Sequence, residues 1–361
     1  MKRRYIILSV LNAVSLLLFA VMTAIAAATA ASLTDQHASD RWASAGELRY
    51  AQTSVFFSDD SALDLNGVFT ERVDMDKKME ENSIVSEKEG AKLWTDAFST
   101  AQEKITVSTE LSSSEAKMIA TGGDFFLFHP QDIISGYYYS DDDTMHDRVL
   151  IDNVLAWQLY GSSDVTGKPV TINGKYFFIA GVFRQSDNSV INKVYGTSPR
   201  IFMSYEGYGL LDKEAKFTCY EACLPNQVTG QAKQMLTETL SIKEDDFDIR
   251  VVENSARYGL KNRFGIIADF GMRSVVDSPV VYPFWENAAR ITEDKSALLL
   301  VFQMIFLLLP IGTAVYLIAK LYRSRKKLFK KALNAAKAFF DRTAAKLRDR
   351  KNSKKGLVKS E

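Results

Sequence analysis

Few residues in this 361-residue chain are of a type and spacing suited to chemistry. The stretch GSSDVTGKP at 161–169 has the glycines and lysine of a phosphate-cradling loop, but five residues separate Gly161 from Gly167 where four are needed. Pro169 stands where a Ser or Thr hydroxyl would have to reach magnesium, and a hairpin rather than a helix follows. The chain is therefore expected to hold no nucleotide and to carry no ATPase. His37, His129 and His146 are too scattered to predict a triad or a zinc site. Asp141, Asp142 and Asp143 with His146 have the charge for calcium without the alternating ligand spacing of a calcium loop, and read as a solvated loop. Cys219 and Cys223 are the two cysteines. They form a disulfide if their Cα atoms come within about 7 Å; the alternatives are free thiols or a metal pair, for which no histidine lies near in sequence. No catalytic residue, cofactor or metal is expected, and the chain reads as a non-enzyme.

The elements around these residues are clearer than the chemistry. Residues 147–183, DRVLIDNVLAWQLYGSSDVTGKPVTINGKYFFIAGVF, predict a strand at 149–151 and a short helix capped by Asp152 or Asn153 and ended by Gly161. A hairpin follows, turning on Asn173-Gly174, with Tyr176, Phe178, Ala180 and Val182 predicted to share one face of its second strand. Upstream, strands are expected over 49–57 and within 94–109, a helix over 65–79, and a junction at 110–115; downstream, a helix over 227–240 and a strand over 247–252. The order points to an α+β fold, a βαβ-type lobe split by a β-rich insertion.

These residues carry a resemblance. The strand, the helix ending Leu159-Tyr160-Gly161, and the hairpin closing on Gly181-Val182 resemble the periplasmic core domain of MacB and FtsX type ABC transporter permeases. GGDFFLFHPQDIISGYYYS at 122–140 is similar to that family's lead-in, a Phe-rich strand before a loop with one glycine, and YPFWENAARITED at 282–294 to the segment before its second membrane helix. The resemblance implies a porter-like lobe (about 46–115 and 213–292) interrupted by a second, β-rich lobe (about 116–212), with Gly161, Gly167, Asn173, Gly174 and Gly181 as fold-motif positions. It also implies a stalk starting at Trp285, Glu286 and Asn287, which carries motion from a separate cytoplasmic ATPase subunit to the outer domain.

Charge and hydropathy set the expected topology. The net charge of +1 hides three parts: +3 on residues 1–4, +13 on 320–361, and therefore about −15 between them. Residues 5–31 carry no charged side chain and are long enough, at roughly 1.5 Å per residue, to cross a core about 30 Å thick. Their apolar run is longer than that of a cleaved signal peptide. A second span at 297–319 leads directly into Lys320, Arg323 and Arg325. Basic flanks at both ends place both termini in the cytoplasm and residues 32–296 outside the cell membrane. Gln303 and the Pro310/Gly312 pair predict a face packed on another helix, or a local kink. The tail at 320–361 reads as a basic amphipathic helix suited to an anionic membrane surface rather than to nucleic acid.

The resemblance implies a permease-like subunit of a MacB-type ABC transporter. Family members usually have four membrane helices and this sequence has two, so a fuller permease homologue, or a degenerate relative without transport activity, enters the expectation. A membrane-anchored sensor or receptor is the alternative from another class.

Overall fold

The computed structural model of the chain describes residues 2–43, 48–84, 92–140, 143–243, 246–269 and 279–357. The fold mixes helices and strands, and two helical stretches, Arg3–Ala31 and Phe284–Arg325, are long and apolar enough to cross a membrane. In chain order the elements begin α1 (Lys2–Ala31), a 3-10 turn (Thr34–Gln36), α2 (Ala38–Ala43), β1 (Tyr50–Phe57), α3 (Leu65–Glu81), and the hairpin β2 (Thr95–Ser108) and β3 (Ser113–Gly123). Next come α4 (Phe125–Phe128), β4 (Asp132–Gly136), β5 (Arg148–Asp152), α5 (Asn153–Tyr160), the hairpin β6 (Pro169–Ile172) and β7 (Lys175–Arg184), α6 (Ser189–Tyr195), β8 (Arg200–Ser204) and α7 (Tyr205–Leu211). The last elements are β9 (Cys219–Pro225), α8 (Gln231–Thr239), β10 (Ile249–Glu253), α9 (Leu260–Ala268) and α10 (Phe284–Leu357).

Residues 24–300 form one compact unit. Its ten strands make a single sheet in the order β10-β1-β9-β2-β3-β8-β5-β7-β4, with β6 pairing both β2 and β7. Strands from 50–108 and 219–253 lie at one end and most of those from 113–204 at the other, so the stretches assigned to separate lobes share one continuous sheet. Helices α3 and α8 bury Val68, Met75, Ala232, Met235 and Leu236 on one face of β1, β9 and β2. Helix α5 covers β3, β5, β7 and β8 through Leu155, Ala156 and Leu159. Between the opposite face and the segments around α2, α4 and Trp285 lies a third, aromatic-rich core.

Local chemistry explains the elements. Asp64 caps α3 by accepting from the Gly67 amide at 2.8 Å, and Asp152 caps α5 by accepting from Leu155 at 2.6 Å. Gly161 ends α5 in the left-handed region, and Asn173 and Gly174, at φ 47° and 77°, form the tight β6–β7 turn. Two expectations are corrected. The Phe-rich stretch is not a strand: Phe125–Phe128 is one helical turn that buries Phe125 and Phe128, and Arg41 donates to the carbonyls of Leu127 and Phe128. Nor do Tyr176, Phe178, Ala180 and Val182 share a face of β7. Phe177, Ile179 and Val182 enter one core while Ala180 and Phe183 enter another, because Val149 pairs with Ile179 but Leu150 with Gly181. One extra residue in β7 inverts the alternation beyond it.

The second compact unit comprises residues 1–23 and 301–361. Pro310 has no amide to offer the Phe306 carbonyl four residues earlier, and the Ser15 hydroxyl donates to that carbonyl at 2.6 Å instead. Asn12 donates to Thr313 Oγ1 at 3.1 Å and Gln303 to Thr23 Oγ1 at 3.0 Å, so the polar residues of the two apolar stretches pair with one another. Gly312 has open space where a Cβ would stand, and it marks no close approach.

Gly181 is where β7 admits nothing larger. A Cβ there would lie 2.7 Å from the Tyr137 carbonyl oxygen and 3.0 Å from that of Ser135, both backbone atoms. Gly181→Ala is expected to destabilise the protein by about 1–3 kcal/mol. Gly209→Ala, in α7 with nothing within 4 Å, should be neutral or stabilising by up to about 1 kcal/mol. Unfolding of the detergent-solubilised chain compares the two.

Candidate functional site

Strand β1 is buried on both faces, one mostly apolar with Thr53 its polar member, the other carrying a row of polar side chains. Ala51, Val55 and Phe57 pack under α3 and α8, whereas Gln52 and Ser54 point to the other side. Ser54 pairs in register with Glu221 at the middle of β9, and its hydroxyl donates to Glu221 Oε1 at 2.6 Å. Asn254 donates to Ser54 at 2.8 Å, and Gln52 donates to the Asp35 carbonyl at 2.8 Å. Into this polar row the end of α4 delivers His129. Its Nδ1 lies 3.0 Å from Asp35 Oδ1, and its Nε2 is in contact with Glu221 Oε2.

A second cluster adjoins the first. Arg257, in the turn after β10, donates from Nη1 and Nη2 to the two carboxylate oxygens of Glu286 at 2.8 and 2.7 Å, and from Nε to Glu293 at 2.8 Å. Its Nη1 also reaches Gln36 Oε1, one residue along from Asp35. Arg290 donates to Glu286 at 3.0 Å while its guanidinium lies over the Tyr282 ring. The Trp285 ring closes the gap between the clusters, 4.2 Å from that of His129. The junction thus gathers the 3-10 turn after α1, α4, β1, β9, the turn after β10 and the first turns of α10.

Asp35, His129, Glu221, Arg257, Glu286 and Glu293 are each at most 7% exposed, so the cluster lies out of contact with solvent. Burial alone would lower the His129 pKa, but the adjacent Glu221 carboxylate and the hydrogen bonds to Asp35 and Glu221 outweigh it and raise it to about 9. Burial likewise opposes the charge of Arg257, and Glu286 and Glu293 hold it protonated above its ordinary range. With His129 protonated, three cations face four carboxyl groups; without that proton, two do. What the arrangement can do chemically is bind these elements to one another with directional, charge-assisted contacts.

A separate, open cleft of about 690 Å³ lies where β2 begins and β3 ends. Trp94, Phe126, Tyr138 and Tyr139 line it, with Asp76, Asp96 and Asp124 among its polar groups. Arg72 grips Asp96 with two contacts of 2.7 and 2.9 Å, and Trp94 Nε1 donates to Asp76 at 2.7 Å. The paired Gly122-Gly123 shapes this end of the sheet: at Gly122 a Cβ would enter the Phe98 ring, and Gly123 has φ +65° with the Asp96 carbonyl 2.6 Å from where a Cβ would stand.

The residues singled out by sequence fall in different places. Trp285, Glu286 and Asn287 lie in the first turn of α10, the first two inside the junction, and Asn287 donates to the Tyr282 carbonyl. Gly161, Gly167, Asn173, Gly174 and Gly181 are backbone positions around α5 and the β6–β7 hairpin, distant in role from the junction. Residues 161–169 lead from a helix into a strand, the reverse of a phosphate loop. The disulfide is excluded. Cys219 and Cys223 are buried free thiols on one extended strand, where four residues span about 13 Å, well beyond bridging reach. Asp141 and Asp142 lie outside the described residues, and among the described residues no group of three or more His, Cys, Asp or Glu is placed to hold a metal ion.

Neither a family model nor a curated protein matches the chain. Among solved structures it is similar to the periplasmic region of MacB from Actinobacillus actinomycetemcomitans, at 13% identity and a TM-score of 0.39 over 57% of this chain and 90% of that one. It is also similar to the extracellular domain of the noncanonic ABC-type transporter YknZ from Gram-positive bacteria, at 14% identity and a TM-score of 0.37 over 56% and 99%.

Two predictions follow from the buried charges. Arg257→Ala leaves Glu286 and Glu293 buried without their cation and is expected to cost about 3–5 kcal/mol. The triple variant Arg257→Met, Glu286→Leu, Glu293→Met should recover much of that loss, read as melting temperatures in detergent. The second concerns pH. Glu71 on α3 is buried against α8, and burial raises its pKa to about 8 even though the Thr239 hydroxyl donates to it. The folded protein therefore keeps a proton there that the unfolded chain releases above its ordinary value near 4.5. Stability from this group is lost as pH rises from about 4.5 to 8. The contribution of His129 is present below about 6.5 and lost as pH rises through about 9. Chemical denaturation from pH 5 to 9 should show declining stability, and Glu71→Gln should flatten the part of the decline below pH 8.

Proposed function

We propose that the chain is a non-enzymatic, permease-like subunit of a MacB-type ABC transporter, with the domain of residues 32–296 outside the cell membrane and both termini in the cytoplasm. The reading is supported by the sequence resemblance and by one structural observation. Arg257, next to the sheet, is gripped by Glu286 and Glu293 of a helix that continues without interruption from Phe284 to Leu357 and includes an apolar stretch long enough to span a bilayer. A helix cannot stretch without breaking its own hydrogen bonds, so displacement along α10 has to move the residues ion-paired to its first turns. Energy would come from a separate ATPase subunit acting on the cytoplasmic side, alone or through a fuller permease homologue. The basic tail would rest on the anionic inner surface of the membrane.

The aromatic-lined cleft favours a second reading, a membrane-anchored receptor in which a ligand of the outer domain acts on the same helix. Co-purification separates the two. Under the transporter reading an ATP-binding subunit comes down with the chain, and a crosslink from the outer domain to that assembly changes in yield when ATP is added. Arg257→Ala in a chain that still assembles should abolish the ATP-dependent change while leaving the association intact. Isolation of the chain alone, or with signalling proteins only, overturns the transporter reading.

A further inference from the structure

Among the described residues, helix α9 has an apolar face that is largely uncovered. Leu260 and Phe264, one helical turn apart, are 62% and 50% exposed, while Ile266 on another side of the helix is buried. The helix carries Lys261 and Arg263 and no carboxylate between Leu260 and Ala268. Its position is fixed by Arg263, whose Nε and Nη2 both donate to the Ser296 carbonyl, at 3.1 and 2.9 Å.

That anchor sets the depth of α9. Ser296 immediately precedes residues 297–319, which contain no charged side chain and at roughly 1.5 Å per residue cover about 34 Å, slightly more than a hydrocarbon core of about 30 Å. Ser296 therefore stands at the boundary between acyl chains and headgroups. An element held within one arginine side chain of it lies at headgroup level. There, Leu260 and Phe264 can dip toward the acyl chains while Lys261 meets phosphate, the division of labour of an interfacial amphipathic helix.

We propose that α9 is a membrane-interface helix, whose Leu260 and Phe264 face is covered by the lipid at the bilayer surface next to the second span. The inference rests on residues 297–319 crossing the membrane and on nothing else in the proposed transport role. It predicts a surface contact that holds the outer domain at a fixed height, independent of any partner protein.

The test uses the full chain in vesicles of phosphatidylcholine and phosphatidylglycerol, with a nitroxide attached at one introduced cysteine at a time. Cys219 and Cys223 are buried, and the unsubstituted chain taken through the same labelling serves as the blank. Collision rates are measured with oxygen, which concentrates in lipid, and with a water-soluble nickel chelate. Leu260→Cys and Phe264→Cys should show an oxygen-to-nickel ratio several-fold above that of Phe247→Cys, an exposed apolar site (75%) elsewhere on the outer domain. If Phe264→Cys fails to fold, Leu260→Cys reads the same face. A ratio at 260 and 264 equal to that at 247 overturns the proposal, as does low access to both reagents, which would mean a protein covers the face. Phe302→Cys separates the premises: a lipid value at 302 with a water value at 264 defeats the interface helix alone, and water values at both defeat the span.

Discussion

A guanidinium buried to 2% exposure is the constraint on which the rest of the compact unit of residues 24–300 depends. Removed from water, Arg257 is tolerable only if every strong donor has a partner, and it finds them in Glu286, Glu293 and Gln36. Those partners must in turn be satisfied: Arg290 covers Glu286, and next to Gln36, Asp35 is engaged by His129, whose other nitrogen meets Glu221. The requirement propagates from one buried charge to the next until it reaches the polar row of β1. Gln52 and Ser54, which look misplaced in a strand buried on both faces, are where the propagation ends.

The chain order of these partners explains why the unit closes on itself. Asp35 and Gln36 follow the first long helix, Glu286 and Glu293 open the last, and His129, Glu221 and Arg257 come from the body between. Hydrophobic packing could hold the same segments together, and Trp285 with Phe125 and Phe128 does part of that. Packing alone is non-directional, however. A two-pronged arginine–carboxylate contact has one geometry. Moving α10 by one residue would shift Glu286 by about 1.5 Å along the axis and about 100° around it and strand its charge.

Much of the architecture was legible before any coordinates, because its signals are local. Asp152 as a cap, Gly161 as a terminator and Asn173-Gly174 as a turn each act within a few residues, and each is where the chain does what the sequence says. The helix spacing of Glu286, Arg290 and Glu293 could also have been read as one charged face. What could not be read was Arg257 as their partner, or His129 between two carboxylates 94 and 92 residues away. Those pairings exist only once the sheet has formed, and a lone histidine after a phenylalanine run carries no local mark of them. The faces of β7 were lost for a related reason: the extra residue is defined against the register of β5, so alternation within β7 itself cannot reveal it.

The buried junction and the open cleft are separate, but one side chain belongs to the walls of both. Phe125 lines the cleft, and its ring lies 4.6 Å from that of His129 and 5.8 Å from that of Trp285 in the first turn of α10. Phe126, beside it, stacks on Tyr138 across the cleft at 4.3 Å. Phe126 belongs to α4, and α4 ends at His129. Close-packed aromatic rings leave little free volume between the cleft wall and the imidazole with its two carboxylates. Those contacts stand next to the ones that fix Glu286. The cleft wall and the first turn of α10 are therefore packed on the same few residues.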